Sequence, residues 1–213
     1  MSATRVIVAM VGLLVLAGCA TAPRTDSPAS DPLDSWTHRQ QILSRQPAWR
    51  MTGKLSIQTP EEGWFASVGW EQRGEQFTID LRDSFGRVVA RIEGDDQRVM
   101  LTRHDGSTAR AASPETLTRQ LFGFALPVSG LRYWVRGLPG ARVDSEALAA
   151  TRRLDSSGRL KHLEQSGWSV DYQHYQDAEP VALPGKIAVA GHELRVKLVV
   201  EAWETPAVSA QWR

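Results

Sequence analysis

The feature that most limits what this chain can fold into is a period of two in its apolar residues, sustained over most of its length. Met51, Gly53, Leu55 and Ile57 share one face of an extended segment. Trp64, Ala66, Val68 and Trp70 repeat the pattern, then Phe77, Ile79 and Leu81, then Val88, Ala90 and Ile92, then Val99 and Leu101. Period two belongs to half-buried strands. Turn-forming stretches separate the segments: Pro60-Glu61-Glu62-Gly63, Arg73-Gly74, Ser84-Phe85-Gly86, Gly94-Asp95 and Asp105-Gly106. Short strands at this spacing predict an antiparallel meander. After residue 150 the pattern resumes at 152–154, 160–165, 168–175, 185–189 and 194–203. Leu194, Val196, Leu198, Val200 and Ala202 share a face in the last segment.

Helical patterns interrupt this. One spans 35–45, with Trp36, Gln40 and Leu43 on one face, and stops before Pro47. A second opens at Ser113-Pro114, a good N-cap followed by proline at the first helical position, and ends at Gly123. Its stripe is Leu117, Leu121 and Phe122. A third follows Pro127 and carries Leu131, Trp134, Val135 and Leu138. A long meander must close or cover its apolar face, and two helices inserted between its halves are natural covers. The expected fold is mainly β with helices: an open, incomplete antiparallel barrel with a helical lid. Its lumen has two readings, a filled core or a cavity for an apolar ligand.

At 213 residues the chain is read as one folded domain, 35–213. A net charge of +1 argues against a nucleic-acid binder. A single cysteine excludes an intrachain disulfide and a cysteine-based zinc site. Eight Trp imply a large core or an apolar cavity.

That cysteine sits at a telling place. Arg5 precedes an apolar run from Val6 to Ala17, too short to span a bilayer but suited to a secretory signal. The run ends Leu16-Ala17-Gly18-Cys19, which resembles a bacterial lipobox. Residues 1–18 are then a signal peptide, and Cys19 is the site of lipidation. Removing them takes away Arg5 and leaves 24 basic residues (25 less Arg5) against 24 acidic ones. Residues 19–34, with Pro23, Pro28 and Pro32, carry no hydrophobic period and read as a flexible tether. Ala20 in place of Asp after the cysteine suggests the outer membrane by the enterobacterial sorting rule.

Enzyme signatures are missing: the sequence has no Gly-x-Ser-x-Gly, His-Glu-x-x-His, P-loop or dinucleotide fingerprint. His174 with Asp177 is a poor metal site, and Asp95-Asp96 reads as a solvated turn. No catalytic residue, metal or cofactor is expected beyond acyl chains on Cys19, and a monomer is expected.

The sequence resembles the LolB family. The likeness rests on the lipobox and tether, on Met51-Thr52-Gly53-Lys54-Leu55, on Asp83-Ser84-Phe85-Gly86, and on Leu126-Pro127-Val128 with Leu131-Arg132-Tyr133-Trp134-Val135-Arg136-Gly137-Leu138-Pro139-Gly140. The resemblance implies a lidded open barrel with a hydrophobic cavity, anchored by lipid to the periplasmic face of the outer membrane. It implies that acylated lipoproteins are taken from the periplasmic carrier LolA and inserted into outer-membrane phospholipid without ATP. It also implies a membrane-insertion probe at Phe85, where the family has an apolar residue, typically Leu, after Asn-Pro. Candidate cavity residues are Trp64, Val68, Trp70, Phe77, Ile79, Leu81, Trp168 and Tyr172 from strands, and Leu117, Leu121, Phe122, Leu131 and Trp134 from the lid. The alternative is a structural envelope lipoprotein with a filled core, acting as a scaffold.

Overall fold

A computed structural model describes residues 31–140 and 151–205. The signal peptide, Cys19 and most of the tether lie outside the described residues. The elements in chain order are α1 (Pro32–Ser44), β1 (Ala48–Gln58), β2 (Gly63–Arg73), β3 (Gln76–Arg82), β4 (Val88–Gly94), β5 (Val99–Arg103), β6 (Thr108–Ala111), α2 (Pro114–Phe122), α3 (Val128–Trp134), β7 (Arg152–Leu154), β8 (Leu160–Gln165), β9 (Trp168–Gln176), β10 (Leu183–Gly191) and β11 (Leu194–Glu204).

All eleven strands form one antiparallel sheet in the order β6-β5-β4-β3-β2-β1-β11-β10-β9-β8-β7. It is two meanders joined at their long strands, and β6 and β7 remain as unjoined edges. The sheet is therefore an open barrel, as expected. Its seam pairs β1 with β11, from Arg50↔Glu204 to Gln58↔Arg195. The register breaks between Thr52 and Gly53, where Thr52 faces Ala202 but Gly53 faces Val200, leaving Glu201 extra. This bulge reverses the alternation on β11. Ala202, expected on the inner face, is exposed, and Trp203 turns inward, 5.6 Å from Trp49. Gly53 serves the bulge: a Cβ there would lie 2.3 Å from the Val199 carbonyl oxygen.

One face of the sheet carries the core. Met51, Val68, Trp70, Phe77, Ile79, Ile92 and Leu101 are buried on β1–β5, and Leu163, Val170, Tyr172, Ile187, Val189, Val196 and Leu198 on β8–β11. The helices α2 and α3 pack on the same face through Leu117, Leu131 and Trp134. As the sequence predicts, Ser113 caps α2, its Oγ accepting from Thr116 N at 3.1 Å, and Gly123 ends it at φ 80°. β6 is an addition to the expected strands. Thr-Ala-Arg-Ala carries too little apolar contrast to register as a strand, yet it pairs with β5.

The strand register defines two ends. At the capped end lie the β2–β3, β4–β5, β7–β8 and β9–β10 turns. α1 lies across this end. It begins at Pro32, three residues earlier than the sequence pattern suggests, because Asp31 accepts from Leu33 N at 2.8 Å. Its buried face is Trp36, Arg39 and Leu43, with Gln40 to the side. Arg39 was not expected inside. Its guanidinium lies 5.3 Å from the Tyr175 ring centroid, and burial lowers its pKa from the ordinary arginine value. Arg136, pushed down to about 10 by burial and by Arg39, donates to the Leu43 carbonyl at 2.6 Å and ties α1 to the segment after α3. The opposite end carries the β1–β2, β3–β4, β5–β6, β8–β9 and β10–β11 turns and has no such helix among the described residues.

Candidate functional site: an aromatic rim at the uncapped end

The β3–β4 connection is the loop Asp83–Arg87. Asp83 N donates to Arg87 O at 3.0 Å, and Gly86 N donates to Asp83 O at 3.0 Å. The Asp83 carboxylate organises the rest. Oδ1 accepts from Phe85 N at 2.9 Å and Arg87 N at 3.0 Å, and Oδ2 accepts from Arg87 Nε at 2.8 Å. Desolvation opposes the charged form of Asp83, but these hydrogen bonds outweigh it and hold the carboxyl below its usual value. Gly86 supplies the left-handed step at φ 81°. The loop is thus tied by Asp83 without help from the Phe85 ring, which stands out at 83% exposure. The Arg87 guanidinium lies 5.5 Å from that ring.

A second loop repeats this geometry. Asp155–Arg159, between β7 and β8, has Asp155 N donating to Arg159 O at 2.9 Å and Gly158 N donating to Asp155 O at 3.0 Å. Oδ1 of Asp155 accepts from Ser157 N and Arg159 N, both at 2.9 Å, and Oδ2 accepts from Arg159 Nε at 2.7 Å. Gly158 has φ 69°. The sequences are Asp-Ser-Phe-Gly-Arg and Asp-Ser-Ser-Gly-Arg. The third position decides nothing about the turn.

Near the Phe85 loop lie further aromatics. Trp64, at the start of β2, is half-buried against Phe124, with centroids 5.1 Å apart, and Phe124 stacks on Phe122 at 6.0 Å. Phe122, expected in the cavity, is 38% exposed at the end of α2. Phe65 is 79% exposed on the outer face of β2. Sequence reasoning passed over Phe65 because it followed the apolar phase. The available signal was the reverse: a large aromatic out of phase, beside Ser67 on the polar face.

The other cavity candidates are brought together. Val68, Trp70, Phe77, Ile79, Leu117, Leu131, Trp134, Trp168 and Tyr172 belong to one buried cluster, and Leu81 and Leu121 pack against it. Trp134 Nε1 donates to Gln165 Oε1 at 3.0 Å, which fixes α3 to β8. Burial raises the pKa of the Tyr172 phenol well above its ordinary value, with a smaller push from Tyr175, and keeps it neutral. These inner-face side chains are buried against one another. Two clefts lie outside this cluster. A cleft of about 690 Å³ runs between the β1–β2 and β10–β11 turns, lined by Gln58–Gly63 and by Ala190, Gly191 and Glu193–Arg195. A groove of about 1240 Å³ crosses the outer face of β1–β5, with charged side chains including Arg50, Glu71, Asp80, Arg91 and Arg98. Among the described residues no three His, Cys, Asp or Glu side chains are grouped to hold a metal ion.

Comparison with known proteins follows the same outline. A family model described as "Outer membrane lipoprotein LolB" matches residues 47–203. A protein from Nitrosococcus oceani named outer-membrane lipoprotein LolB is 36% identical over 200 residues, 94% of this chain and 97% of that protein. One of the same name from Alkalilimnicola ehrlichii is 35% identical over 93% of this chain and 96% of its own length. Among solved structures, a DUF1329 family protein from Desulfovibrio piger superposes with a TM-score of 0.52, covering 83% of this chain and 94% of that one at 6% identity. That last likeness concerns the fold alone.

Proposed function

The chain belongs to the LolB family of outer-membrane lipoproteins, and from that premise we propose that it is an acceptor. It receives acylated lipoproteins from the periplasmic carrier LolA and inserts them into the outer membrane without ATP. Acyl chains on Cys19 hold it on the periplasmic face.

The physical difficulty in this task is the cargo's acyl chains. Each methylene kept from water is worth about 0.8 kcal/mol, so the chains must stay covered at every stage. Transfer then runs downhill if each station covers them better than the last. The buried cluster under α2 and α3 is the surface suited to receive them. Its side chains pack against one another, so loading shifts α2 and α3 and repacks the inner side chains around the incoming chains. Leu117, Leu131 and Trp134 on the helices, with Trp70, Phe77 and Tyr172 opposite, are the groups that exchange partners. Phe85 then brings the loaded protein against the bilayer, where burying its ring contributes roughly 1.5–3 kcal/mol. That is small beside a lipid anchor but enough to favour one orientation.

The observation that carries this reading is Phe85 itself. It stands 83% exposed on a loop whose hydrogen bonds are reproduced with serine in its place, so the turn does not depend on its ring. The test mixes an acylated lipoprotein bound to LolA with this protein and vesicles of outer-membrane phospholipid. Cargo is expected to pass to this protein and then to the vesicles without ATP. Failure to accept cargo from a demonstrably loaded carrier would overturn the acceptor role and leave the scaffold.

A further inference from the structure

We propose that the membrane contact is a face rather than a single side chain: the outer surface of the β2-β1-β11-β10 strip, led by Phe65 and lined by Lys197, Arg195 and Lys186, lies on anionic phospholipid headgroups beside Phe85. This rests on the reading of Phe85 as the part that meets the bilayer, and goes beyond it in assigning a second anchor, a charge strip and a tilt.

Register places the components together. Ser56 of β1 pairs with Phe65 on one side and Lys197 on the other, so all three side chains project from the same face. Two strand spacings put Phe65 and Lys197 about 10 Å apart. Arg195 lies two residues nearer the uncapped end, opposite Gln58. Lys186 joins from β10, opposite Val199, itself 40% exposed. On the other side of Phe65 comes the Phe85 loop, because the β2–β3 register ends at Ser67↔Arg82 just short of it. Two phenylalanines about four-fifths exposed therefore lie near each other at the uncapped end, one on β2 and one at the β3–β4 turn.

Such rings are poor company for water and good company for the interfacial region of a bilayer. The charges select the same partner. Lys186, Arg195 and Lys197 are exposed and make no ion pair with a carboxylate among the described residues. Lys54, on the same strip, is engaged by Ser67 and, at 3.9 Å, by Glu201. A row of unpaired cations beside an exposed aromatic matches a phosphate-rich surface, whose negative potential attracts them. At this end Glu61, Glu62, Asp83, Asp105 and Glu193 sit in the turns, while Glu164 on β8 and Asp171 on β9, beyond the strip, face His162. A molecule standing on its turn tips would press those carboxylates onto phosphates. One leaning onto the outer face presents the cations and both rings.

The anchor permits this posture. α1 starts at the capped end, where Pro32 and Ser35 crowd Gly158. The twelve peptide steps from Cys19 to Asp31 reach at most about 43 Å. The 11 residues of β1 span about 37 Å. The tether is long enough to run back along the sheet and let the uncapped end rest on the membrane that holds the acyl chains.

The test uses the full acylated chain in vesicles of phosphatidylethanolamine and phosphatidylglycerol. Phe65, Phe85 and, as a capped-end control, Glu75 are replaced one at a time by the photo-crosslinker p-benzoylphenylalanine, and phospholipid adducts are read by mass spectrometry. Adducts are expected at 65 and 85 and not at 75. Combining Lys186→Glu with Lys197→Glu is expected to lower the yield at 65 roughly tenfold. Adducts at 85 with none at 65 would overturn the face and leave the Phe85 reading intact. Adducts at neither position would overturn both. Capture of LolA rather than lipid at 65, when the loaded carrier is added, would make this strip a protein-docking surface and overturn the proposal.

Discussion

Asp83–Arg87 and Asp155–Arg159 are the same turn built twice, at opposite ends of one sheet, and used in opposite ways. The hydrogen bonds correspond one for one. What differs is the surroundings. Gly158 lies under α1, where an added Cβ would come within 2.6 Å of the Pro32 carbonyl oxygen, whereas Gly86 has nothing within 4 Å. Arg159 faces inward, 4.9 Å from the Tyr175 ring, and Arg87 faces its own exposed loop. One copy serves as a seat for a helix. The other holds a phenylalanine in water. Turn chemistry alone therefore does not say what a turn is for; the cover, or its absence, does.

The largest expected effect that separates the two loops comes from their glycines. Gly158→Ala combines a left-handed backbone with a collision against α1 and is expected to cost about 3 kcal/mol. Gly86→Ala meets the backbone penalty alone, about 1 kcal/mol. Urea denaturation of both variants measures the difference, and equal losses would mean that α1 does not press on the second loop.

Next comes the exchange of the third residue. Phe85→Ser converts the exposed loop into its twin and is expected to leave stability within about 0.5 kcal/mol, while membrane insertion of cargo falls roughly tenfold or more. Adding Ser157→Phe restores the residue count but at the wrong end, and insertion is expected to stay low. Recovery in that double variant would detach the function from the uncapped end.

The aspartates should differ less. Asp155→Ala removes bonds at a loop packed under α1, at a cost of about 1 kcal/mol, and the loss from Asp83→Ala at its exposed loop is expected to be smaller. Unfolding midpoints of the pair give the comparison.

The smallest effect is one of pH. Both carboxyls titrate below their unfolded value in the folded chain. Desolvation works against each charge, and the bonds from Arg87 and Arg159 prevail. A depressed folded pKa stabilises the fold above the unfolded value, near pH 4, and that contribution is lost as the pH falls through the folded one. Asp155→Asn is therefore expected to flatten the acid limb of a stability profile taken from pH 7 downward.

Much of this was legible before any coordinates. Strand phase is local, so Val68, Trp70, Phe77 and Ile79 could be placed on one face by counting. Ser113 and Gly123 announce α2 because caps are short-range chemistry. Phe85 was marked by the resemblance to the LolB family, whose apolar loop residue it matches. What escaped depends on partners far away in sequence. Ala202 and Trp203 exchange faces because of a bulge set by the approach of β1. Arg39 is inside because Tyr175, 136 residues later, offers it a ring. Phe65 looked like an ordinary strand residue until its neighbours across three strands were known.

The β1–β11 seam has a consequence for how the molecule comes into being. Its two longest-range partners sit at the middle of the sheet, so the strand that emerges first cannot be completed until the one that emerges last arrives. A chain delivered N-terminus first can build β1 to β6 as a meander, but one side of β1 stays bare throughout. Loop-closure entropy makes such distant pairing slow, and an unpaired strand side is a template for the wrong neighbour. Export through a membrane lengthens that interval. The chain's vulnerable period is thus its delivery, and anything that stalls the final strand leaves a half-sheet with its centre exposed as an edge.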